Sequence, residues 1–427
     1  MSSQTAKPKK HEFIEKGAGF KSGIQGLKKH LNSKTITAGF VAAVFGCTGP
    51  ALVTINASTA AGYTTAQTVS WLFGIYVFGG LISLIMALYY KKPIVGAFSI
   101  PGASMLATSL IGFSFEEAAG AFIIAGVLVL ILGLSGLIGK VMKFLPLPIV
   151  MGMIAGVMLR FGTNIVTSTV ASPIICGAAI LGYFIIPKFS KKFSPILGAL
   201  LFGVVAIALT GGLDASAIEM KYIAPQLVRP AFNVATILSV SVPLAALVVG
   251  AENAQAIGVL SGQGYNPPVN AMTIISGLGG IASGLFGAHN ANIAGPMTAI
   301  CSSNEAGEDK EGRYAAAVVN GVFFILFGLL ASYAMAFINV IPLPLVNLLA
   351  GLAMIGVLIN SFKDGFGTSK FKLGAFAALI VGVSNITLLH IGAAFWALVI
   401  GVVISLIAEK KDFDEATLEE KSALKNA

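Results

Sequence analysis

The residues in this chain that could do chemistry are few, and they sit where a polar group is costly. Glu252, followed by Asn253 and Gln255, interrupts an otherwise apolar run from Phe232 to Leu260. A carboxyl group in such a run costs at least ~2.5 kcal/mol on membrane-insertion scales, so it serves as a proton site or is hydrogen-bonded by a neighbouring helix. Two further stretches join extended residues to a proline: Ala97 to Ile100 leads into Pro101, Gly102, Ala103 and Ser104, and His289 to Ile293 leads into Ala294, Gly295 and Pro296. Proline suits the first turn of a helix and breaks one elsewhere. Each stretch therefore predicts a short strand meeting a half-helix, the first running to Leu110 and the second to Ser302; the alternative is a continuous helix kinked at proline. Exposed N–H groups at a helix start carry about half a positive charge and seat an anion. Ser99, Pro101, Gly102, Ala103, Ser104, Asn253, His289, Asn290, Asn292 and Gly295 are the candidate ligand positions, and Glu252 is the candidate proton site. His289, Asn290 and Asn292 could equally satisfy local backbone.

The other polar residues inside apolar segments have simpler explanations. Asn56 and Gln67 flank a predicted loop, where capping is expected, and His390 begins the last apolar segment as an interfacial residue. Arg160 either attracts an anion or reaches to lipid headgroups. Cys47, Cys176 and Cys301 lack metal-ligand spacing and read as small core residues, so neither a metal nor a cofactor is expected. The chain has no GxxxxGK[ST] loop, nucleophile elbow or HExxH, which removes a nucleotide-driven motor and leaves an intramembrane enzyme without a catalytic set.

The elements that must position these residues are membrane-spanning helices. Of 427 residues, 56% are hydrophobic and only 11% charged, with a mean hydropathy of +0.88, whereas a soluble domain carries about a quarter charged residues. Apolar runs of the ~20 residues that cross a bilayer recur from Ile36 to Ala408. The predicted spans are 36–60, 66–89, 94–110, 115–139, 146–162, 173–187 and 194–212, then 232–260, 268–286, 288–303, 314–335, 343–360, 371–387 and 390–408. With the N-terminus in the cytoplasm, all 27 basic residues except Arg160, Lys221 and Arg229 fall on the cytoplasmic side, as the positive-inside rule requires. The net charge of +9 is thereby a membrane-orientation signal, and no nucleic-acid partner is expected. The first 34 residues are polar and lysine-rich and do not read as a removable signal peptide. Within them Phe20, Ile24, Leu27 and Leu31 lie opposite Lys21, Lys28 and Lys29, the pattern of a helix on the cytoplasmic leaflet, with a disordered tail as the alternative.

The chain also repeats itself. GVLVLILGL from Gly126 and GVFFILFGL from Gly321 are each followed by a PLP motif, from Pro146 and Pro342. Seven spans separate the equivalent points, and an odd number inverts the second copy. The expected organisation is a cytoplasmic segment 1–34, a seven-span repeat 35–213, an external link 214–231, a second repeat 232–409 and a cytoplasmic tail 410–427.

AGYTTAQTVSWLFGIYVFGGLISL from Ala61, AFSIPGASMLATS from Ala97, LPLPIVMGMIAGVMLRFG from Leu145 and the tenth-span region through Arg313 and Tyr314 resemble the BenE family of benzoate:proton symporters. The likeness covers essentially the whole chain apart from its tails, and that family is related in fold to nucleobase symporters and sulfate-type anion transporters. It implies an all-α polytopic protein of fourteen spans in a 7+7 inverted repeat, with short strands in broken spans three and ten. Spans one to four and eight to eleven would form a core domain, and five to seven with twelve to fourteen a gate domain. The implied function is proton-coupled uptake of a small organic anion, benzoate or a similar aromatic carboxylate, across an inner membrane. The partners are then the anion, the proton and the lipid bilayer, with a homodimer compatible. One departure stands out: where the family's eighth span reads like QNLPG, this chain has Glu252, Asn253, Ala254, Gln255 and Ala256. A glutamate there is more similar to the nucleobase symporters, whose eighth-span carboxylate holds substrate. Nucleobase symport and passive anion conduction are therefore the competing expectations.

Overall fold

The computed structural model describes residues 14–136, 146–189, 195–210, 221–338, 341–389 and 391–415. In chain order the first half forms α1 (Phe20–His30), α2 (Ser33–Cys47), α3 (Gly49–Ala60), α4 (Thr65–Tyr90), β1 (Gly96–Phe98), α5 (Ile100–Ser109), α6 (Phe115–Ser135), α7 (Leu147–Ala171), α8 (Pro173–Phe189) and α9 (Pro195–Leu209). The second half forms α10 (Val234–Gly262), α11 (Val269–Gly284), β2 (Ala291–Ile293), α12 (Gly295–Ser302), α13 (Tyr314–Leu329), α14 (Ala331–Ile338), α15 (Leu343–Phe366), α16 (Lys372–Ser384) and α17 (Ala393–Ala408). These elements make fourteen spans in two inverted repeats of seven. Spans three and ten are the strand-plus-half-helix units β1–α5 and β2–α12.

Helix starts follow local polar chemistry. Asn32 with Thr35, Thr64 with Gln67 and Ser114 with Glu117 form reciprocal capping boxes that open α2, α4 and α6. The expected capping role of Gln67 is thus present. That of Asn56 is not: its Nδ2 donates to Asn347 Oδ1 on α15 at 2.6 Å.

Equivalent glycines allow close helix crossings in the two repeats. A Cβ on Gly126 of α6 would lie 2.6 Å from the Ile281 backbone nitrogen on α11, and one on Gly321 of α13 would lie 2.8 Å from the Gly80 carbonyl oxygen on α4. Only a residue without a side chain permits that approach. The pairs α6–α11 and α13–α4 are the same contact seen once in each direction, as an inverted repeat demands. Together with α2, α3, α5, α10 and α12 they make the core domain. In the gate domain α7 packs on α15, α16 and α17, and α8 on α9.

Several boundaries depart from the expected spans. Span one is not continuous: Thr48, at φ −105° and ψ −92°, separates α2 from α3, with Pro50 in the first turn of α3. Span eleven divides at Leu330. The helices of spans five and twelve run on to Ala171 and Phe366. Span eight contains two π-helical segments, Ile237–Ser241 and Val248–Asn253, and the second carries Glu252. Residues 20–30 are helical as the amphipathic pattern predicts; α1 turns Gly23 and His30 to the bundle and leaves Phe20, Ile24 and Leu31 exposed. His390 and the predicted loops around Lys140, Lys191 and Asp214 lie outside the described residues.

Candidate functional site

The site is built by pairing the two repeats. β1 and β2 run antiparallel, with Gly96 opposite Ile293, Ala97 opposite Asn292 and Phe98 opposite Ala291. The ladder extends one step further through the Ala294 N–H, which donates to the Val95 carbonyl at 2.9 Å. This pairing places the first turns of α5 and α12 on either side of Glu252. One carboxylate oxygen accepts from the Ile100 N–H at 3.2 Å and the other from the Gly295 N–H at 3.5 Å. Both donors are the first residues of their half-helices, so one side chain takes up a free N–H from each helix start. Glu252 is 3% exposed. Its position on a π segment fits the general occurrence of such irregular turns at functional sites.

The other predicted positions divide into supports and cavity lining. Ser99 caps α5, its Oγ accepting from the Gly102 N–H at 3.0 Å, so that donor is already taken. Ser104 Oγ donates to the Ile100 carbonyl at 3.1 Å and contacts Met354 Sδ of the gate at 3.3 Å. Asn253 points behind the strands: its Oδ1 accepts from Ser276 Oγ at 3.1 Å, and that hydroxyl accepts from the Ile293 N–H at 3.1 Å. His289 is fully buried. Trp71 Nε1–H donates to its Nδ1 at 2.8 Å, which assigns the proton to Nε2, 3.0 Å from the Ser99 carbonyl. Asn292 Nδ2 donates to the Ile293 carbonyl at 2.7 Å. Asn290 is buried, and neither of its amide atoms has a partner among the described residues.

A cavity of about 340 Å³ opens on the carboxylate. Ile100, Pro101, Glu252, Gln255 and Pro296 line it from the core domain, and Leu147, Met151, Ile154, Val357, Asn360, Ser361, Lys363 and Asp364 from the gate. Of the predicted site residues, only Pro101 and Glu252 line this space; Ala103 and Gly295 are buried and do not. The gate residues were missed. Their only sequence signal is that they follow the two PLP motifs, at the start of α7 and along α15. Gln255, three residues beyond Glu252, joins it in the lining, which its sequence position alone does not signal. Arg160 lines a separate cavity of about 370 Å³ with Thr163 and Asn385. Chemically, the cavity at Glu252 offers two helix starts with a carboxyl group and the Gln255 amide beside them, aliphatic side chains, and from the gate an amide, a hydroxyl, Lys363 and Asp364.

Comparison with known proteins agrees with this architecture. A family model described as BenE, benzoate membrane transport protein, matches residues 29–407. The inner membrane protein YdcO of Escherichia coli (strain K12) is 32% identical over 383 residues, which cover 89% of this chain and 98% of that protein. The benzoate membrane transport protein of Acinetobacter baylyi is 26% identical over 387 residues, covering 91% of this chain and 98% of the relative. Among solved structures, the transmembrane domain of a cyanobacterium bicarbonate transporter, BicA, superposes with a TM-score of 0.61 at 18% identity, over 86% of this chain and 97% of that one. SLC26A9 does so with a TM-score of 0.59 at 15% identity, over 90% and 67%. At such identities the structural likeness speaks for the fold alone.

Proposed function

The chain belongs to the BenE family of benzoate membrane transport proteins, and from that premise we propose that it is a secondary carrier that takes up benzoate or a similar aromatic carboxylate together with a proton. The observation that carries this reading is the lining of the cavity at Glu252. A carboxylate at the starts of α5 and α12 would meet backbone N–H groups, and an attached ring would lie against Met151, Ile154 and Val357. Pockets for small ligands are mostly apolar with a few placed polar groups, and about 340 Å³ is ample for a single ring. An anion entering against the membrane potential is opposed by ~2.3 kcal/mol per charge per 100 mV, which a co-transported proton removes. Glu252 is the proton carrier in this scheme, and the ligand leaves chemically unchanged. In this reading the protein lies in an inner membrane with both termini in the cytoplasm.

A second reading is kept by one observation: Gln255 and Asn360 bring amides to the cavity beside Glu252, a set that suits the polar edge of a nucleobase. Uptake into proteoliposomes with an imposed inward proton gradient distinguishes the readings. Labelled benzoate should accumulate, saturate and collapse with a protonophore, while uracil and bicarbonate should not compete. Uracil accumulation would favour the nucleobase reading, and flux that neither saturates nor responds to the gradient would identify a channel.

A further inference from the structure

We infer that the Glu252 carboxylate is a built-in occupant of the anion seat, which a substrate carboxylate replaces only when Glu252 takes up a proton. The inference rests on the carrier reading above and adds how the two ligands are coupled. Glu252 spans the Ile100 and Gly295 N–H groups with its two oxygens, at 3.2 Å and 3.5 Å. Benzoate presents the same group, two oxygens on one carbon. The β1–β2 ladder fixes the donors relative to one another, so the seat holds one carboxylate at a time.

Four states follow, and two are poor. With Glu252 ionised and no substrate, the seat holds one negative charge and both N–H groups are satisfied. With a proton on one Glu252 oxygen and benzoate on the N–H groups, the seat again holds one negative charge. An ionised Glu252 beside benzoate would put two carboxylates at the same pair of donors inside a low-dielectric site. A protonated Glu252 beside an empty seat would leave both N–H groups buried without an acceptor. The two good states differ by one proton and one anion, so the coupling is one to one and moves no net charge.

Among the described residues, other titratable groups are few near this carboxyl. Of the elements packed on its π segment, β2, α11 and the flanking parts of α10 carry none, α12 carries Cys301, and α7 carries Arg160 in its separate cavity. Lys363 and Asp364 of α15 reach the cavity from the gate, and neutral His289 is held between Trp71 and the Ser99 carbonyl without lining that space.

The test is benzoate binding by the purified full-length protein across acidic to neutral pH, with proton uptake recorded in weak buffer. Parent affinity should fall about tenfold per pH unit once Glu252 ionises, because proton and anion binding are reciprocally linked. About one proton should be taken up per benzoate bound under those conditions. Glu252→Gln should bind as tightly as the parent at low pH, show no pH dependence and take up no proton. PH-independent binding by the parent, no proton uptake, or a Gln variant that loses benzoate at every pH would overturn the inference while leaving the carrier reading intact. Absence of benzoate binding by parent and variant alike would overturn both. If Glu252→Gln does not fold, the proton uptake of the parent decides alone.

Discussion

The hydrogen bonds of His289 define its role through what each partner can offer. Trp71 Nε1 only donates and the Ser99 carbonyl only accepts, so the ring is held neutral between them and positions the cap of α5. His289→Leu should leave both partners unmatched, at roughly 1–3 kcal/mol each. A lowered melting temperature with less than a tenfold change in benzoate affinity is expected; a direct ligand contact would give the opposite pattern. Gly102 and Gly295 carry a related lesson. The expected reason to keep them bare is close approach by an anion, yet a Cβ at Gly102 would lie 2.6 Å from Leu244 Cδ1 and one at Gly295 2.3 Å from Gln255 Oε1. Both neighbours belong to α10. Gly102→Val and Gly295→Val should therefore abolish benzoate binding by wedging α10 away from the half-helix starts and deforming the seat they form, and isothermal titration of each folded variant checks this. Parent-like affinity in both would separate the seat from these glycines.

Among the elements, the broken spans were legible because proline and glycine punctuate them, and the strand-to-helix change follows from backbone chemistry alone. The pairing of those strands was not, since three residues such as Ala291 to Ile293 carry no register signal of their own. The π turn under Glu252 was equally hidden, because Val248 to Asn253 has no composition that distinguishes it from ordinary helix. The gate wall escaped for another reason: Met151, Ile154 and Val357 are as apolar as a lipid-facing surface, and only packing shows which side they take. The Asn56–Asn347 bond is a contact of this kind, formed between span one of the core and span twelve of the gate. It lies at the end of α15 remote from Lys363, so it closes one end of the core–gate interface while the cavity reaches the other. Asn56→Ala should weaken this arrangement by about 0.5–1.5 kcal/mol, the net worth of one hydrogen bond. In a variant lacking Cys47, Cys176 and Cys301, a cysteine introduced by Asn360→Cys should then react several-fold more slowly with an impermeant thiol reagent applied from the cytoplasmic side. An unchanged rate would show that the bond is indifferent to conformation.

For the whole molecule, the proposed orientation rests on where the lysines lie. Reporters fused after Lys91, Lys191 and Lys372 should be cytoplasmic and one near Asp214 external; an external signal at Lys191 would break the fourteen-span order. In that orientation the cavity that reaches Lys363 and Asp364 would open inward. The basic end is also held by the N-terminal segment, where Glu15 accepts from the Asn270 and Ala271 N–H groups at 3.0 Å and thereby caps α11. The β1–β2 ladder has a historical consequence. Each strand finds its partner only in a neighbour of opposite orientation, so a single seven-span unit could not have completed the seat by itself. An ancestor of that length would have needed to insert into the membrane both ways up and meet a copy of itself turned over by a two-fold rotation. Gene fusion would then have made permanent an antiparallel dimer that already worked.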